Sequence, residues 1–222
     1  LLLGWYGAFL FHKIVVTTSD LGRHIKNGEE ILDGNFGVLY QNHYSYTEPG
    51  YPFVNHHWLS GVVFYLIWKT SGFSGLHLFF IALSLITFWL FFDLARKIGG
   101  YVLSIPTALL LIPIIAERVE ARPEVFSYLF SGIFLWVLLH RRFVWALPVL
   151  MLFWANMHVY FFAGLILIFI FMLWERSLWK VFLASLAAIF ITPFGLRAAA
   201  LPLTLFQNYG YRVVENQSIS FL

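Results

Sequence analysis

The sequence predicts an all-α polytopic membrane protein with about seven transmembrane helices and juxtamembrane helices on the outer face of its first loop. Three observations predict it. Of 222 residues, 60% are hydrophobic and only 11% are charged, against about 25% charged in an average soluble domain. Apolar runs recur along the whole chain, separated by short polar stretches. The charge of those stretches alternates. Stretches 93–100, 140–142 and 175–180 carry Arg96, Lys97, Arg141, Arg142, Arg176 and Lys180 against Asp93 and Glu175 alone. The stretches between them, 17–57, 117–124 and 156–159, hold Asp20, Glu29, Glu30, Asp33, Glu48, Glu117, Glu120 and Glu124. The positive-inside rule makes the first set cytoplasmic and the second external. That topology accounts for the net charge of +3, so the basic excess does not point to nucleic acid. Cysteine is absent, which excludes a disulfide framework and a thiolate metal site.

Residues 1–16 form the end of a first span, with His12 and Lys13 at its outer end. The polar first loop covers 17–57. Residues 58–70 are apolar, but a helix needs about 20 residues to cross the hydrocarbon core. They are therefore assigned to a juxtamembrane helix, and a span there would break the charge alternation. Further spans are expected at 74–95, 101–116 (with Pro106 and Pro113), 125–139, 143–155, 160–174 and 179–193. A second interfacial helix is expected at 196–206, followed by a polar end. The second outer loop is ERVEARPE, 117–124. The whole chain 1–222 forms one transmembrane module. It lacks an initiator Met and opens inside an apolar run, so it is expected to belong to a longer chain.

Two outer loops carry the chemistry. A helix is expected over 20–33, with Ser19 or Asp20 as N-cap and Asp33-Gly34 as its stop. Leu21, Ile25 and Leu32 form an apolar stripe on it. Asp20, His24 and Asn27 share another face, which aims polar groups at a cleft. In the second loop Pro123 opens a helix and places Glu124 in its first turn, facing the positive end of the dipole. Arg118 and Arg122 are suited to phosphate oxygens, and Glu120 lies between them. His56, His57 and Trp58 close the first loop. Adjacent histidines in a regular element diverge, which argues against a metal site there and for an anchor. Asn156 and His158 lie at an outer helix end, and Arg197 follows the last span. Tyr44, Tyr46, Tyr51 and Trp58 belong to an interfacial aromatic belt or stack on sugar rings.

The stretches DLGRHIKNGEEIL, YSYTEPGYPFVNHHWL, ARPEVFSYLF, TPFGLR and ENQS, in that order, resemble polytopic GT-C glycosyltransferases. The likeness is to the protein mannosyltransferase and aminoarabinose transferase type, in a bacterial branch. The resemblance implies an inner-membrane enzyme that transfers a sugar from a polyprenyl-phosphate donor on the outer face. It makes Asp20 the catalytic residue. Glu120 or Glu124 would position substrate or, with Asp20, hold a divalent cation (Mg or Mn) as in some branches. His24, His56, His57, Arg118, Arg122, Asn156, His158 and Arg197 would bind substrate. The chain has His56-His57-Trp58 where the family pattern has His-Glu-Trp, and His43-Tyr44 where an Asp often stands. An alternative reading follows from these two missing acids: a non-catalytic subunit of the same scaffold that binds lipid or a partner protein.

Overall fold

The computed structural model describes residues 1–12, 20–48, 50–116 and 121–204. Among them the regular structure is helical, with a single isolated bridge between Gln41 and Pro52. The helices are α1 (Leu2–Leu10), α2 (Leu21–Leu32), α3 (Trp58–Ile115), α4 (Glu124–His140), α5 (Ala146–Met157), α6 (Phe162–Trp174), α7 (Trp179–Ala188) and α8 (Leu196–Thr204). Inside α3 the backbone leaves the helix at Gly72 (φ 62°) and Gly100 (φ 64°). Glycine accepts this left-handed region without the Cβ penalty. The two breaks divide α3 into α3a (58–71), α3b (73–99) and α3c (101–115). The interfacial helix expected at 58–70 is thus a separate segment.

The expected set of about seven full-length spans is corrected in one respect. Among the described residues, α3 is the one helix long and apolar enough to cross a membrane by length and composition. Helix α4 has 17 residues, α5 has 12, α6 has 13 and α7 has 10. The sequence itself shortens them. Arg141 and Phe143 take positive φ between α4 and α5, and a Thr192-Pro193-Phe194-Gly195 turn follows α7.

One continuous core joins α2, α3a, α3b, α4, α5, α6 and α7 around Phe64, Phe134, Leu147, Met151, Trp154 and Ile168, all at 0% exposure. Gly164 lets α6 approach Trp154 and Phe134, where a Cβ would come within 2.7 and 3.0 Å of the two rings. A smaller cluster of Ile31, Val38, Leu39, Phe194 and Ala198 fixes the first loop to the start of α8. Tyr40 adds a hydrogen bond to the Pro193 carbonyl at 3.2 Å. Helix α1 lies antiparallel to α3b, with His77 Nε2 on the Leu10 carbonyl at 3.0 Å and Tyr6 against Phe88 at 5.4 Å.

The two sets of polar stretches gather at separate places. Lys97 meets His140 at 2.8 Å and Arg141 meets Glu175 at 3.1 Å, which joins the ends of α3b, α4 and α6. Elsewhere, Trp58 meets Asn156, Ser60 meets the Met157 carbonyl and Ser127 meets His158. Between them, large apolar side chains face outward. On α3c, Val102 is 83% exposed, Leu110 74% and Ile114 63%.

Candidate functional site

Asp20 precedes α2 at a left-handed φ of 54° and makes no side-chain cap bond. The expected capping role is corrected: its carboxylate, 71% exposed, pairs with Arg23 three residues on, at 3.0 Å. That short ion pair holds the acid at the helix entry without using it on the backbone.

The polar face of α2 is packed along with Leu21 and Ile25 of the expected apolar stripe. His24 and Asn27 are buried, and Asn27 Oδ1 accepts a hydrogen bond from Tyr44 at 2.7 Å. Leu32, expected in the apolar stripe, is exposed, and Ile31 is buried in its place. Two glycines make this packing feasible. A Cβ on Gly28 would overlap the Gly61 carbonyl, and one on Gly61 would lie 2.7 Å from the His24 carbonyl. Backbone therefore meets backbone where α2 crosses α3a, and the side chain of His24 is carried into the interior.

There it meets three other histidines. The His24 and His57 rings have centroids 5.3 Å apart, His57 and His158 5.1 Å, and His56 and His57 3.9 Å. The expectation that His56 and His57 diverge is corrected: they stand in irregular chain just ahead of α3a, where helix and strand periodicity does not apply. His56 Nδ1 donates to the Val54 carbonyl at 3.2 Å. His158 Nδ1 is 2.7 Å from the Ser127 hydroxyl, which accepts a hydrogen bond from Trp154 Nε1 at 2.7 Å. His24 Nδ1 and His57 Nε2 are covered and have no hydrogen-bond partner among the described residues.

Burial pushes all four imidazoles below their ordinary range. His24 and His158 fall to about 3, His57 falls well below its ordinary value, and His56 is lowered against an opposing bond from Val54. Mutual repulsion adds to burial. So do the guanidiniums of Arg23 and Arg122, which both disfavour a proton on His24. The four rings are neutral at pH 7. Among the described residues no three His, Asp or Glu side chains converge as metal ligands. Glu120, one of the three residues the resemblance offers to a cation, lies outside the described residues, and no step is assigned to a cation.

A cavity of about 590 Å³ opens between α1, α3b, α3c and α4. Its walls are mainly aliphatic and aromatic, including Tyr6, Phe80, Phe88, Ala108 and Leu111. Toward the start of α4 it is lined by His77, Arg122, Glu124 and Tyr128. Glu124 sits in the first turn of α4, as expected, and accepts a hydrogen bond from Tyr128 at 3.3 Å. Arg122 thus links two places: it lines the cavity and bears electrostatically on the histidine cluster.

Asn156 is a structural hub. Its Oδ1 accepts from Trp58 Nε1 at 2.9 Å, and its Nδ2 donates to the Leu152 and Ile191 carbonyls at 2.8 and 3.0 Å. Arg197 is exposed on α8 and lines neither the cavity nor the cluster. Arg118 and Glu120, with the rest of 117–120, lie outside the described residues. Ser127, Trp154 and His77 join the site without having been singled out. The one sequence signal for Ser127 is a polar residue three places after Glu124 on an apolar helix. Compared with protein-family models, with curated proteins and with solved structures, the chain finds no match.

Proposed function

We propose that the chain is a multi-pass membrane glycosyltransferase that moves a sugar from a polyprenyl-phosphate donor to an acceptor on the outer face of a bacterial inner membrane. Two features support the bilayer. The most apolar window of α3 is only 17% buried, unlike the core helix of a water-soluble protein. Exposed Val, Leu and Ile along α3c form the kind of large apolar surface that marks contact with lipid or a partner. Helices α4 to α7 are shorter than the roughly 20 residues of a full span. In this reading the connecting turns and local thinning of the bilayer complete their crossing.

The observation that carries the enzymatic reading is Arg122 at the polar end of a mainly apolar cavity. A hydrocarbon chain in the cavity would bring its phosphate to that guanidinium. Arginine binds phosphate oxygens through two parallel N–H bonds and stays charged at all working pH values. Arg122, with Arg118, would offset the charge that develops on the leaving phosphate. Asp20 would act as general base on the acceptor hydroxyl or amine, a role that typically supplies about 10²–10⁴-fold. Its carboxylate is exposed and would exchange Arg23 for the acceptor. Glu120 and Glu124 would position the donor.

A non-catalytic subunit is the second reading. The ion pair between Asp20 and Arg23, and the two acids missing from the family pattern, favour it. The two readings separate on Arg122→Gln in the purified chain. Loss of polyprenyl-phosphate binding together with turnover fits the enzyme. Binding lost with no turnover in the unmodified chain fits the subunit. Unchanged binding contradicts the placement of the phosphate.

A further inference from the structure

We infer that the basic end of the bundle binds the headgroup of an anionic glycerophospholipid, in a groove between the end of α4 and the turn joining α6 to α7. This rests on the bilayer reading above and not on sugar transfer. The groove encloses about 400 Å³. Its floor is apolar, from Leu138, Val144, Phe171 and Leu178, and its rim carries Arg141, Glu175 and Ser177.

The rim is already arranged. Glu175 has both oxygens engaged, one by Arg141 at 3.1 Å and one by the Ser177 hydroxyl at 2.9 Å. Asp93, the other acid at this end, is taken by Arg96 at 2.6 Å and Lys97 at 2.9 Å. Arg142 and Arg176 are left without a carboxylate partner among the described residues. Arg142 is exposed by an unusual turn. Helix α4 ends with Arg141 in the left-handed region (φ 53°), where glycine is the usual occupant, and Arg142 N–H closes on the Val137 carbonyl at 3.3 Å. Phe143 repeats the positive φ at 58°. The outcome is an exposed Arg142 next to the rim residue Arg141, with Phe143 at 75% exposure; Arg176, also exposed, follows the rim residue Glu175, and Trp174 on the groove is 80% exposed.

Cations interleaved with exposed aromatics over an apolar groove describe headgroup depth. Uncompensated guanidiniums there select an anionic headgroup, and basic pockets between helices on the cytoplasmic side bind such lipids. The apolar floor asks for an acyl chain as well, which a soluble phosphate does not have.

The test uses the full chain, purified in neutral detergent. It is titrated with short-chain phosphatidylglycerol, short-chain phosphatidylcholine and sn-glycerol phosphate, with binding read by native mass spectrometry. Phosphatidylglycerol should bind about 10-fold tighter or more than phosphatidylcholine, at roughly 5-fold per participating cation. The double variant Arg142→Ala/Arg176→Ala should lose that preference, the Lys pair should keep it, and glycerol phosphate should not compete. Equal binding of the two lipids, an unchanged preference in the Ala pair, or effective competition by glycerol phosphate would each overturn the inference. Integration into phosphatidylcholine vesicles, read by resistance to alkaline extraction, tests the bilayer reading separately. Integration without a headgroup preference sinks this inference alone.

Discussion

The rings of His24 and His57 meet edge to face, with centroids 5.3 Å apart. One belongs to α2 and the other precedes α3a, so the contact ties the two ends of the first loop together, and His158, 5.1 Å from His57, joins them to the bundle. Each ring carries a covered nitrogen without a partner among the described residues, and a buried polar atom left unpaired costs about 1–3 kcal/mol. Closure of the first loop is therefore stabilised by packing around these rings and not by their own polar bonds.

Acid should loosen this contact. The charged groups that bear on His24 are Arg23 and Arg122, with the imidazoles of His56 and His158. The folded pKa values of His24 and His158 are depressed to about 3, below the unfolded value of about 6.5. The folded state thus favours the neutral rings. Their contribution is fully present above about pH 6.5 and is lost as pH falls toward 3. The slope is at most about 1.4 kcal/mol per pH unit for each histidine. Thermal unfolding in detergent between pH 7.5 and 4.5 should show a falling midpoint, and His24→Gln should flatten the profile. A flat profile in the unmodified chain contradicts neutral burial.

Asn156 holds three elements at once, through Trp58, Leu152 and Ile191. Asn156→Ala should destabilise by about 2–3 kcal/mol, because it also leaves buried partners unpaired. Trp58→Phe keeps a smaller aromatic ring and leaves a single buried acceptor unpaired, so its cost should be lower, about 1–2 kcal/mol. Denaturant midpoints of the two variants check the ranking, and equal costs would count against the hub.

The crossing of Gly28 over Gly61 depends on the absence of side chains. The atoms that a Cβ at Gly28 would strike are the Gly61 carbonyl and the Tyr65 Cβ, at 2.9 Å for the latter. Neither can rotate away. Gly28→Ala should lift α2 from α3a, at a cost of about 1–3 kcal/mol for overpacking. Hydrogen exchange should rise in α2 and leave α4 and α5 unchanged. Unaltered protection in α2 would show that the crossing is looser than described.

Much of the helix pattern is legible in the sequence, for local reasons. Gly72 and Gly100 separate α3a, α3b and α3c where the apolar runs are interrupted, and Pro123 opens α4. The grouping of Lys97 with His140 and of Arg141 with Glu175 follows the charge alternation. The site is less legible because long-range contacts make it. His24, His57 and His158 come from three elements, and nothing local says that their rings meet. Periodicity misjudged His56 and His57, which lie in irregular chain, and it placed the polar face of α2 on a cleft where a pair of glycines draws it into the core. Asp20 has the residue type and position of a cap, yet the adjacent guanidinium of Arg23 takes its carboxylate.

In the proposed function Asp20 serves transfer from a lipid-linked sugar while contributing little to the fold. The direct measurement is release of polyprenyl phosphate by the chain in proteoliposomes, from polyprenyl-phosphomannose and from the aminoarabinose analogue, with outer-face acceptor present. The unmodified chain should turn over one of these donors. Asp20→Asn should lower that rate by about 10²-fold or more, with an unchanged unfolding midpoint. A variant that keeps the full rate would contradict the assignment.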